Sequence, residues 1–336
     1  MRFVIVCLFA VAALSIPAKS ASAQPLDKVT FGTNWVPQPE HGGYYQALAD
    51  GTYRKYGLDV TILPGGPNIN NRILLPAGRI DFYMSANLLQ SFDAVEQNVP
   101  TVAVAASFQK DPQVLMAHPG QGVETFEDLK KLKTLLISKE GIIGYYQWMK
   151  KDYGFTDAQA KPYNFNPQPF FADKRVAMQG YVTSEPYAVE TQGKFKPKIF
   201  LLADQGFSTY STLIETRRDL VEKNPDLVQR FVDASAIGWY NYIYGDNKAA
   251  NALIRKQNPE MSDALLDYSV ARMREYGIVD SGDSLKLGIG AMTDARIKDF
   301  FDMMVRAGVL KPTLDYKKSY TLQFVNKGVG VDLRPK

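Results

Sequence analysis

The chain has 336 residues, of which 46% are hydrophobic and 22% are charged, and its formal net charge is +4. This length corresponds to about two globular domains, and the composition is typical of a folded protein, not of a disordered or low-complexity chain. A charge of +4 over this length is too small to indicate a nucleic-acid-binding surface, so no nucleic-acid partner is expected.

The first 23 residues have the pattern of a secretory signal peptide. A positively charged start precedes an apolar run over residues 3–16, and Ala-Ser-Ala ending at Ala23 is a cleavage site of the A-x-A type. The run is shorter than the about 18 residues that a membrane-spanning helix needs. The single cysteine, Cys7, lies in this segment, so the mature chain has none and depends on its hydrophobic core. The pattern predicts export to the periplasm.

Strand-like and helix-like segments alternate from residue 28 onward. The predicted strands cover residues 29–35, 58–63, 80–84 and 101–107, and the helices between them cover 43–56, 69–77 and 88–98. Strands that alternate with helices of about ten to fifteen residues indicate βαβ units and a mostly parallel sheet.

A second series of strands and helices follows. Its predicted strands cover 114–117, 134–137, 181–183, 198–202 and 211–215, and its helices cover 144–153, 173–179 and 186–192, with a capping box at residues 125–128. Four further helices are predicted at 227–244, 248–256, 262–276 and 293–307, followed by an irregular tail over 312–336.

This order predicts an α/β fold with two lobes. We expect residues 24–112 to form the first part of lobe 1 and residues 113–207 to form lobe 2, while residues 208–336 return to lobe 1 and add the C-terminal helices. No Ser/Gly-rich or Pro-rich linker separates the two series. A ligand is expected in the cleft between the lobes.

Several enzyme classes lack their sequence motifs. There is no G-x-S-x-G, no P-loop and no G-x-G-x-x-G, and the mature chain has no thiolate nucleophile. His41 and His118 are the only histidines, which is too few for a three-histidine zinc site, and His118 is interpreted as structural or solvent-facing. No spacing singles out a catalytic carboxylate pair. We therefore predict no catalytic residue, no metal and no cofactor.

The most informative stretch lies between the first strand and the first helix. Pro37 and Pro39 delay the helix, so Asn34 and Trp35 are expected on a loop at the edge of the sheet, where ligands bind in such folds. Trp35 offers an aromatic face and Asn34 offers donors and an acceptor, and His41 follows them. The alternative is that Trp35 fills the lobe and His41 caps the helix.

Two more turns follow predicted strands in the same way. Ser85 and Asn87 come after the strand at 80–84 and are predicted to donate hydrogen bonds to a ligand. Lys139 lies in the corresponding turn of the second series, where a helix start favours anions.

Two further candidate ligand-binding segments lie in the second half of the chain. Glu185 stands at a predicted helix start, where it either complements the helix dipole or pairs with an amino or amidine group of a ligand, and Tyr187 follows it. Tyr210 is expected near the return crossing to lobe 1, where it could supply another ring.

Several of these segments together resemble a known family. The segments are residues 34–51, 55–60, 65–66, 77–81 and 219–231. They resemble the periplasmic solute-binding proteins of ABC importers, in the SsuA/Thi5-like branch that includes receptors for thiamine pyrimidine precursors. The resemblance extends over nearly the whole mature chain, and it implies two α/β lobes that close on a small ligand, an ABC permease as partner and a monomer. Asn34, Trp35 and His41 match the branch motif Asn-Trp-x-Pro-x-x-x-His.

The same branch contains pyrimidine synthases that consume one of their own lysines and one histidine. In alignment with that subgroup, Ser85 stands where the lysine would be and Leu89 where the histidine would be, and the cysteine-rich iron segment is missing. The resemblance therefore implies the fold and a binding role but not the synthase reaction.

The leading hypothesis is an importer receptor for a small aromatic heterocycle such as formylaminopyrimidine or hydroxymethylpyrimidine. In this hypothesis Trp35 stacks on the ring, with a tyrosine on its other side, while Asn34, Ser85 and Glu185 contact its polar edge. The alternatives are a sulfonate, taurine or nitrate receptor that uses Lys139, a riboflavin receptor and, less favoured, a pyrimidine-synthesis enzyme.

Overall fold

Two separate five-stranded sheets organise the molecule. The computed structural model describes residues 25–67 and 69–335, so the predicted signal peptide lies outside the described residues. The strands in the described ranges are β1 Asp27–Gly32, β2 Leu58–Leu63, β3 Phe82–Asn87, β4 Thr101–Phe108, β5 Gln113–Ala117, β6 Thr134–Ile137, β7 Ala160–Pro162, β8 Val176–Tyr181, β9 Lys198–Leu201 and β10 Ser211–Arg217.

The first sheet has the order β2-β1-β3-β10-β4. β1 runs parallel to β2 and β3, whereas β10 is antiparallel to both of its neighbours, β3 and β4. All eight residues of β4 are buried. A strand that is buried along its whole length is typical of a sheet covered on both faces.

The second sheet has the order β7-β6-β8-β5-β9. β6 runs parallel to β7 and β8, and β5 is antiparallel to β8 and β9. The chain passes from the first sheet to the second between Phe108 and Gln113, and it returns between Leu201 and Ser211. The predicted lobe boundaries, at residues 112 and 207, lie within these two crossings, and their exact positions stay predictions.

Helices cover both sheets. The α-helices are α1 Gly42–Ala49, α2 Thr52–Lys55, α3 Leu88–Glu96, α4 Lys139–Ile143, α5 Tyr145–Tyr153, α6 Gln168–Ala172, α7 Glu185–Ala188, α8 Arg218–Lys223, α9 Pro225–Tyr244, α10 Lys248–Gln257, α11 Asp263–Glu275, α12 Ser284–Leu287 and α13 Asp294–Arg306. Within the described ranges, no helix is both long and apolar enough to cross a membrane.

Glycines allow α1 to lie directly against α9. A Cβ atom added to Gly43 would lie 2.2 Å from the Trp239 ring, and one added to Gly238 would lie 2.2 Å from the Gly43 carbonyl oxygen. Neither space admits a methyl group, so the start of α1 is fixed against the longest helix of the chain. The residues just before α1 are thereby fixed against lobe 1.

Several predicted elements need correction. Residues 173–179 were expected to be helical, but 176–181 form β8. A strand was predicted at 181–183, but only Tyr181 belongs to a strand, as the last residue of β8, and residues 182–183 lie in a turn. The helix predicted at 69–77 is only a short 3-10 turn, Asn71–Leu74. Both sheets are mixed instead of mostly parallel, since β10 and β5 enter them in the opposite direction.

Other predictions are confirmed. The four C-terminal helices form as α9, α10, α11 and α13, and the helical segments over the described residues 313–335 are short 3-10 turns. The capping box is present, because the Thr125 and Asp128 side chains and backbones bond reciprocally. His118 is structural: it is buried, its Nε2 atom lies 2.6 Å from the Phe170 carbonyl oxygen, and its ring stacks on Phe195.

Candidate functional site

A cavity of about 290 Å³ lies between the two sheets and is lined from both sides. The lining residues from lobe 1 are Asn34, Trp35, Gln38, Glu40, His41, Met84, Ala86, Asn87, Leu89 and Thr212. Those from the second series of elements are Gln113, Ser138, Glu140, Gly141, Gly144, Tyr145, Tyr163, Phe165, Gln179, Gly180, Tyr181, Ser184, Glu185 and Phe207.

The loop after β1 is held in place by hydrogen bonds. The Thr33 hydroxyl donates to the Trp35 carbonyl oxygen at 3.0 Å, and the Gly65 amide donates to the same oxygen at 3.1 Å. The Asn71 side-chain amide donates to the Thr33 carbonyl oxygen at 3.1 Å. Glycine is required at position 65, because an added Cβ atom would lie 2.5 Å from the Thr33 carbonyl oxygen. Asn34 and Trp35 are thus presented to the cavity on a fixed backbone.

An aromatic pair joins the two sides of the cavity. The rings of Trp35 and Phe165 have centroids 6.0 Å apart and are tilted by 41°. Phe165 has φ of 63°, a left-handed conformation that is uncommon outside glycine, and its ring also lies 5.4 Å from Tyr163. Backbone strain of this kind is concentrated at functional sites.

Glu40 is a buried carboxyl group at the boundary between the lobes. Its Oε1 atom accepts a hydrogen bond from the Thr183 hydroxyl, on the turn after β8. Burial raises the pKa of Glu40 to about 7, the Thr183 hydrogen bond opposes this shift, and the charge of Glu185 adds a little to it. A carboxyl group of this kind can exchange a proton near neutral pH.

His41 is fully buried at the cavity wall. Neither of its ring nitrogens has a hydrogen-bond partner among the described residues, and its side chain does not cap α1. Burial lowers the pKa of His41 to about 3, so the imidazole is neutral at physiological pH. A neutral imidazole offers one donor and one acceptor, and an unpartnered one is costly unless a ligand or water satisfies it.

Glu185 is a second carboxylate in the cavity wall. Its Oε2 atom accepts hydrogen bonds from the Tyr181 amide at 2.6 Å and from the Ser184 hydroxyl at 2.5 Å. These bonds orient the carboxylate at the start of α7. The position therefore fits both interpretations from the sequence, as a helix-start carboxylate and as a group that lines the ligand space.

A polar network forms the far wall. The Gln179 Oε1 atom accepts from the Ser138 amide at 2.7 Å and from the Tyr145 hydroxyl at 2.9 Å. On the lobe 1 side, the Asn87 side-chain amide lies 3.4 Å from the Asp111 Oδ2 atom. The amide side chains are therefore fixed before any ligand arrives, which reduces the entropy cost of binding.

The charged side chains among the lining residues are all acidic. Three glutamates line the cavity, Glu40, Glu140 and Glu185, while none of the described lining residues is Lys or Arg. Lys139, the residue expected to serve an anionic ligand, is exposed and is not among the lining residues. The described residues also contain no cluster of three or more His, Cys, Asp or Glu that could hold a metal ion.

Five of the predicted ligand-binding residues line the cavity, namely Asn34, Trp35, His41, Asn87 and Glu185. Three do not. Ser85 is buried within β3, which extends to Asn87, and the Tyr187 ring lies 5.4 Å from Tyr268 on α11.

Tyr210, the third residue outside the cavity, is buried in a polar cluster. Its hydroxyl donates to the Asp283 Oδ2 atom at 2.5 Å, and the Arg296 guanidinium lies 4.1 Å from its ring centroid. The aromatic residues that line the cavity besides Trp35 are Tyr145, Tyr163, Phe165, Tyr181 and Phe207.

Some lining residues were missed from the sequence. Glu40 stands beside His41 in the same motif, but one acidic residue among 35 gives no local signal of burial. Phe165 lies in a long irregular segment whose position only the fold reveals. Thr212 lies within β10 with φ of 51°, which is unusual for a β-branched residue, and sequence alone does not show this.

Comparison with known structures identifies the class of this fold. The periplasmic aliphatic sulphonate binding protein SsuA from Escherichia coli superimposes with a TM-score of 0.61 at 13% identity, covering 87% of this chain and 91% of that one. The molecule therefore has the two-lobed periplasmic-binding-protein fold, as predicted, with the cavity in the cleft between the lobes.

The sequence places the chain within a family. Residues 38–250 match the NMT1/THI5-like family, and the chain belongs to it. The riboflavin-binding protein RibY of Chloroflexus aurantiacus is 24% identical over 330 residues, covering 94% of this chain and 92% of RibY. The 4-amino-5-hydroxymethyl-2-methylpyrimidine phosphate synthase THI11 of Saccharomyces cerevisiae is 26% identical over 223 residues, which cover 62% of this chain and 65% of the yeast protein.

Proposed function

We propose that the protein is the substrate-binding component of an ABC importer and that it captures a small aromatic heterocycle carrying amino groups, such as a thiamine pyrimidine precursor. The observation that carries the proposal is the composition of the cleft. It combines aromatic rings with three glutamates and a neutral histidine, and its described lining residues include no Lys or Arg.

The side chains around the cleft suggest how such a ring would bind. Trp35 would supply an aromatic face, and the Glu185 carboxylate would accept from an exocyclic amino group. Asn34, Asn87 and His41 would satisfy the ring nitrogens and substituents through amide and imidazole groups. The His41 nitrogens are fully buried, so such a ligand would reach them only when the cleft wall around them moves.

The size of the cleft favours a single substituted ring. A cavity of about 150 Å³ is sufficient for benzene. The cleft volume of about 290 Å³ is about twice that, which fits a pyrimidine with several substituents better than a three-ring flavin with its side chain.

A riboflavin ligand is the second candidate. This candidate is supported by the similarity to the riboflavin-binding protein RibY, which extends over 94% of this chain. Riboflavin requires more space than a substituted pyrimidine. The two candidates are therefore distinguished by which of them the closed cleft can hold.

An anionic ligand is less compatible with this cleft. Sulfonate or nitrate would face the carboxylates of Glu140 and Glu185 in a cleft of reduced dielectric, where like charges repel more strongly than in water. The likeness to SsuA supports the fold and not the ligand, since only 13% of the residues are identical.

A binding role is favoured over the synthase reaction. Leu89, the position that the resemblance aligns with the donor histidine, presents an apolar side chain to the cleft, and Ser85 lies in the sheet outside it. Neither residue can replace a lysine or a histidine in that chemistry.

The ligand is tested by isothermal titration calorimetry on residues 24–336. 4-Amino-5-hydroxymethyl-2-methylpyrimidine, riboflavin and taurine are titrated separately into the same preparation. Saturable binding of the pyrimidine alone supports the proposal, whereas binding of riboflavin alone selects the second candidate. Binding of taurine alone contradicts both.

Export and partnership form the rest of the proposal. The predicted signal peptide would be removed after Ala23, and the mature monomer would deliver its ligand to the membrane subunits of an ABC permease. Expression of the full chain in a Gram-negative host should yield a periplasmic protein whose intact mass lacks residues 1–23. Retention of those residues in a membrane fraction contradicts the export proposal.

A further inference from the structure

Glu40 forms a polar contact between the two lobes. It lies on the turn before α1 and only 4% of its surface is exposed. Its carboxyl group receives the Thr183 hydroxyl from the turn after β8, and the Thr183 carbonyl oxygen accepts from the Ser269 hydroxyl at 2.7 Å. Ser269 lies on α11, so Thr183 is held from two sides by elements outside its own sheet.

The surroundings of Glu40 disfavour its charged form. Two groups from the second series lie near Glu40. The Glu185 carboxylate at the start of α7 is a like charge, and the Tyr181 hydroxyl on β8 is an ionisable group that burial keeps neutral. From α9, Tyr242 faces Glu40. The neighbouring His41 is neutral, because burial lowers its pKa to about 3. The groups that act on Glu40 therefore include no positive charge to stabilise a carboxylate.

The remaining element packed against this region is α11. Ser269 is its uncharged contact to Thr183, and Asp267 on the same helix acts on Tyr242 as a further negative charge. Asp111, in the crossing between the sheets, is another buried carboxyl group, and burial raises its pKa to about 6. Asp111 is unchanged in every variant compared below, so its titration cancels in the comparison.

We propose that Glu40 makes closure of the lobes proton-linked, with a neutral carboxylic acid in the closed form and a solvated carboxylate in the open form. When the lobes part, Thr183 leaves the carboxyl group and water reaches it, so ionisation no longer carries a desolvation cost. Closure takes one proton from solvent onto a Glu40 oxygen, and opening returns it. The inference rests on the proposed function only in the second experiment below, which uses a pyrimidine ligand.

The direction of the pH effect follows from the two states. The pKa of Glu40 rises from 4.5 to about 7 on burial, so the closed form binds the extra proton between these values. Closure is therefore favoured as pH falls from about 7 toward 4.5, and it changes little above or below that window. Ligand affinity should be on the order of tenfold higher at about pH 5.5 than at about pH 7.5.

The first experiment needs no ligand. Small-angle X-ray scattering of residues 24–336 at about pH 5.5 and about pH 7.5 measures the radius of gyration of wild type and of Glu40→Gln. The wild type should become more compact at the lower pH, and Glu40→Gln should have the compact value at both. An equal pH response in Glu40→Gln, or no response in wild type, overturns the proposal.

Two further variants separate the proton from the contact. Glu222→Gln removes an exposed carboxylate of α8 that does not line the cleft, and it should keep the wild-type pH response. Thr183→Val removes the donor but no titrating group, so it should weaken closure at both pH values while a pH response persists. Loss of the response in Glu222→Gln would mean that the pH response does not come from Glu40, and it would overturn the proposal.

The second experiment counts protons during binding. Calorimetry with 4-amino-5-hydroxymethyl-2-methylpyrimidine, in buffers of different ionisation enthalpy near pH 6, gives the protons taken up per ligand bound. Wild type should take up nearly one proton more than Glu40→Gln. Equal uptake overturns the proton linkage, whereas absence of binding in wild type contradicts the proposed ligand and leaves the scattering result to decide the linkage.

Discussion

Trp35 owes its position to backbone hydrogen bonds more than to packing of its ring. Its carbonyl oxygen accepts from Thr33 and Gly65, and the ring itself is only partly buried. The indole is therefore available to a ligand without a rearrangement of the loop. Truncation of this side chain should affect binding much more than folding.

We expect Trp35→Ala to weaken binding of the pyrimidine probe by roughly 10- to 100-fold, because both aromatic contact and buried area are lost. Titration calorimetry measures the dissociation constant, and Trp35→Phe is the matched control that keeps an aromatic face. The control should recover much of the affinity. Unchanged affinity in Trp35→Ala would exclude the stacking role.

His41 should remain neutral through the physiological range. Burial lowers its pKa from 6.5 to about 3, so the unfolded chain binds a proton that the folded chain does not. The sign follows from linkage: His41 contributes stability above pH 6.5, and this contribution is lost as pH falls from 6.5 toward 3. Glu40 has the opposite sign, since its folded form holds the extra proton.

Proton NMR of the imidazole C–H signals checks this prediction. The sequence contains two histidines, His41 and His118, so comparison with His41→Gln assigns the His41 signal directly. We expect that signal to keep a constant chemical shift from about pH 8 to about pH 5. A titration midpoint near 6.5 would show an exposed imidazole and contradict the buried position.

The limits of sequence reasoning at this scale are visible in β3. The predicted strand ends at Met84, which would place Ser85 in the loop, but the strand continues to Asn87 and Ser85 is buried within it. Asn87 then reaches the cleft at the true end of the strand. The strand boundary lies three residues beyond the predicted one, which is why Ser85 lies inside the sheet and Asn87 lines the cleft.

At the scale of elements, burial on both sides conceals the difference between strand and helix. All but the last residue of β8 are buried, so residues 176–181 lack the alternation that marks a half-exposed strand. The helices after residue 217 have a polar side and were placed correctly. Long-range pairing with β5 and β6, which no local pattern contains, decides the conformation of β8.

The contact between α1 and α9 gives an element-scale prediction. Gly43→Ala should lower the free energy of unfolding by about 1–3 kcal/mol, because its methyl group would overlap the Trp239 ring. Gly66→Ala is the matched control, since an added Cβ atom there meets Val36 at an ordinary 3.6 Å. Urea unfolding followed by circular dichroism measures both.

The two glycine variants should differ clearly in the denaturation midpoint. A loss in Gly43→Ala beyond that in Gly66→Ala would locate the effect in the helix contact. Equal losses would mean that α1 can move away from α9, which would weaken the argument that α1 fixes Glu40 and His41 against lobe 1.

At the scale of the whole molecule, the cleft exists only when the lobes are together. Its lining comes from both sheets, which are joined through the crossings between β4 and β5 and between β9 and β10. The sequence predicted this arrangement from the restart of the strand and helix series, and the fold comparison confirms it. The contacts across the cleft, such as Trp35 with Phe165, were beyond prediction because they join residues with no shared local pattern.

An engineered disulfide across the cleft tests whether ligand entry requires opening. A Cβ atom at Gly144 would lie 3.3 Å from the Leu89 Cδ1 atom, and these residues belong to opposite sides of the cleft. Cysteines at the two positions would therefore lie near each other in the closed form and apart in an open one, and a disulfide forms only if their Cβ atoms come within about 4.5 Å. The single native cysteine is Cys7, so the chain of residues 24–336 offers no competing thiol.

We expect Leu89→Cys/Gly144→Cys, oxidised before ligand is added, to bind the pyrimidine probe much more slowly than the reduced protein. Oxidation after binding should trap the probe through gel filtration, and reduction should release it. The two single-cysteine variants under the same oxidant control for the substitutions themselves. Equal association rates in the oxidised and reduced double variant would mean that the ligand enters without separation of the lobes, and a closure that depends on the Glu40 proton would then have no influence on capture.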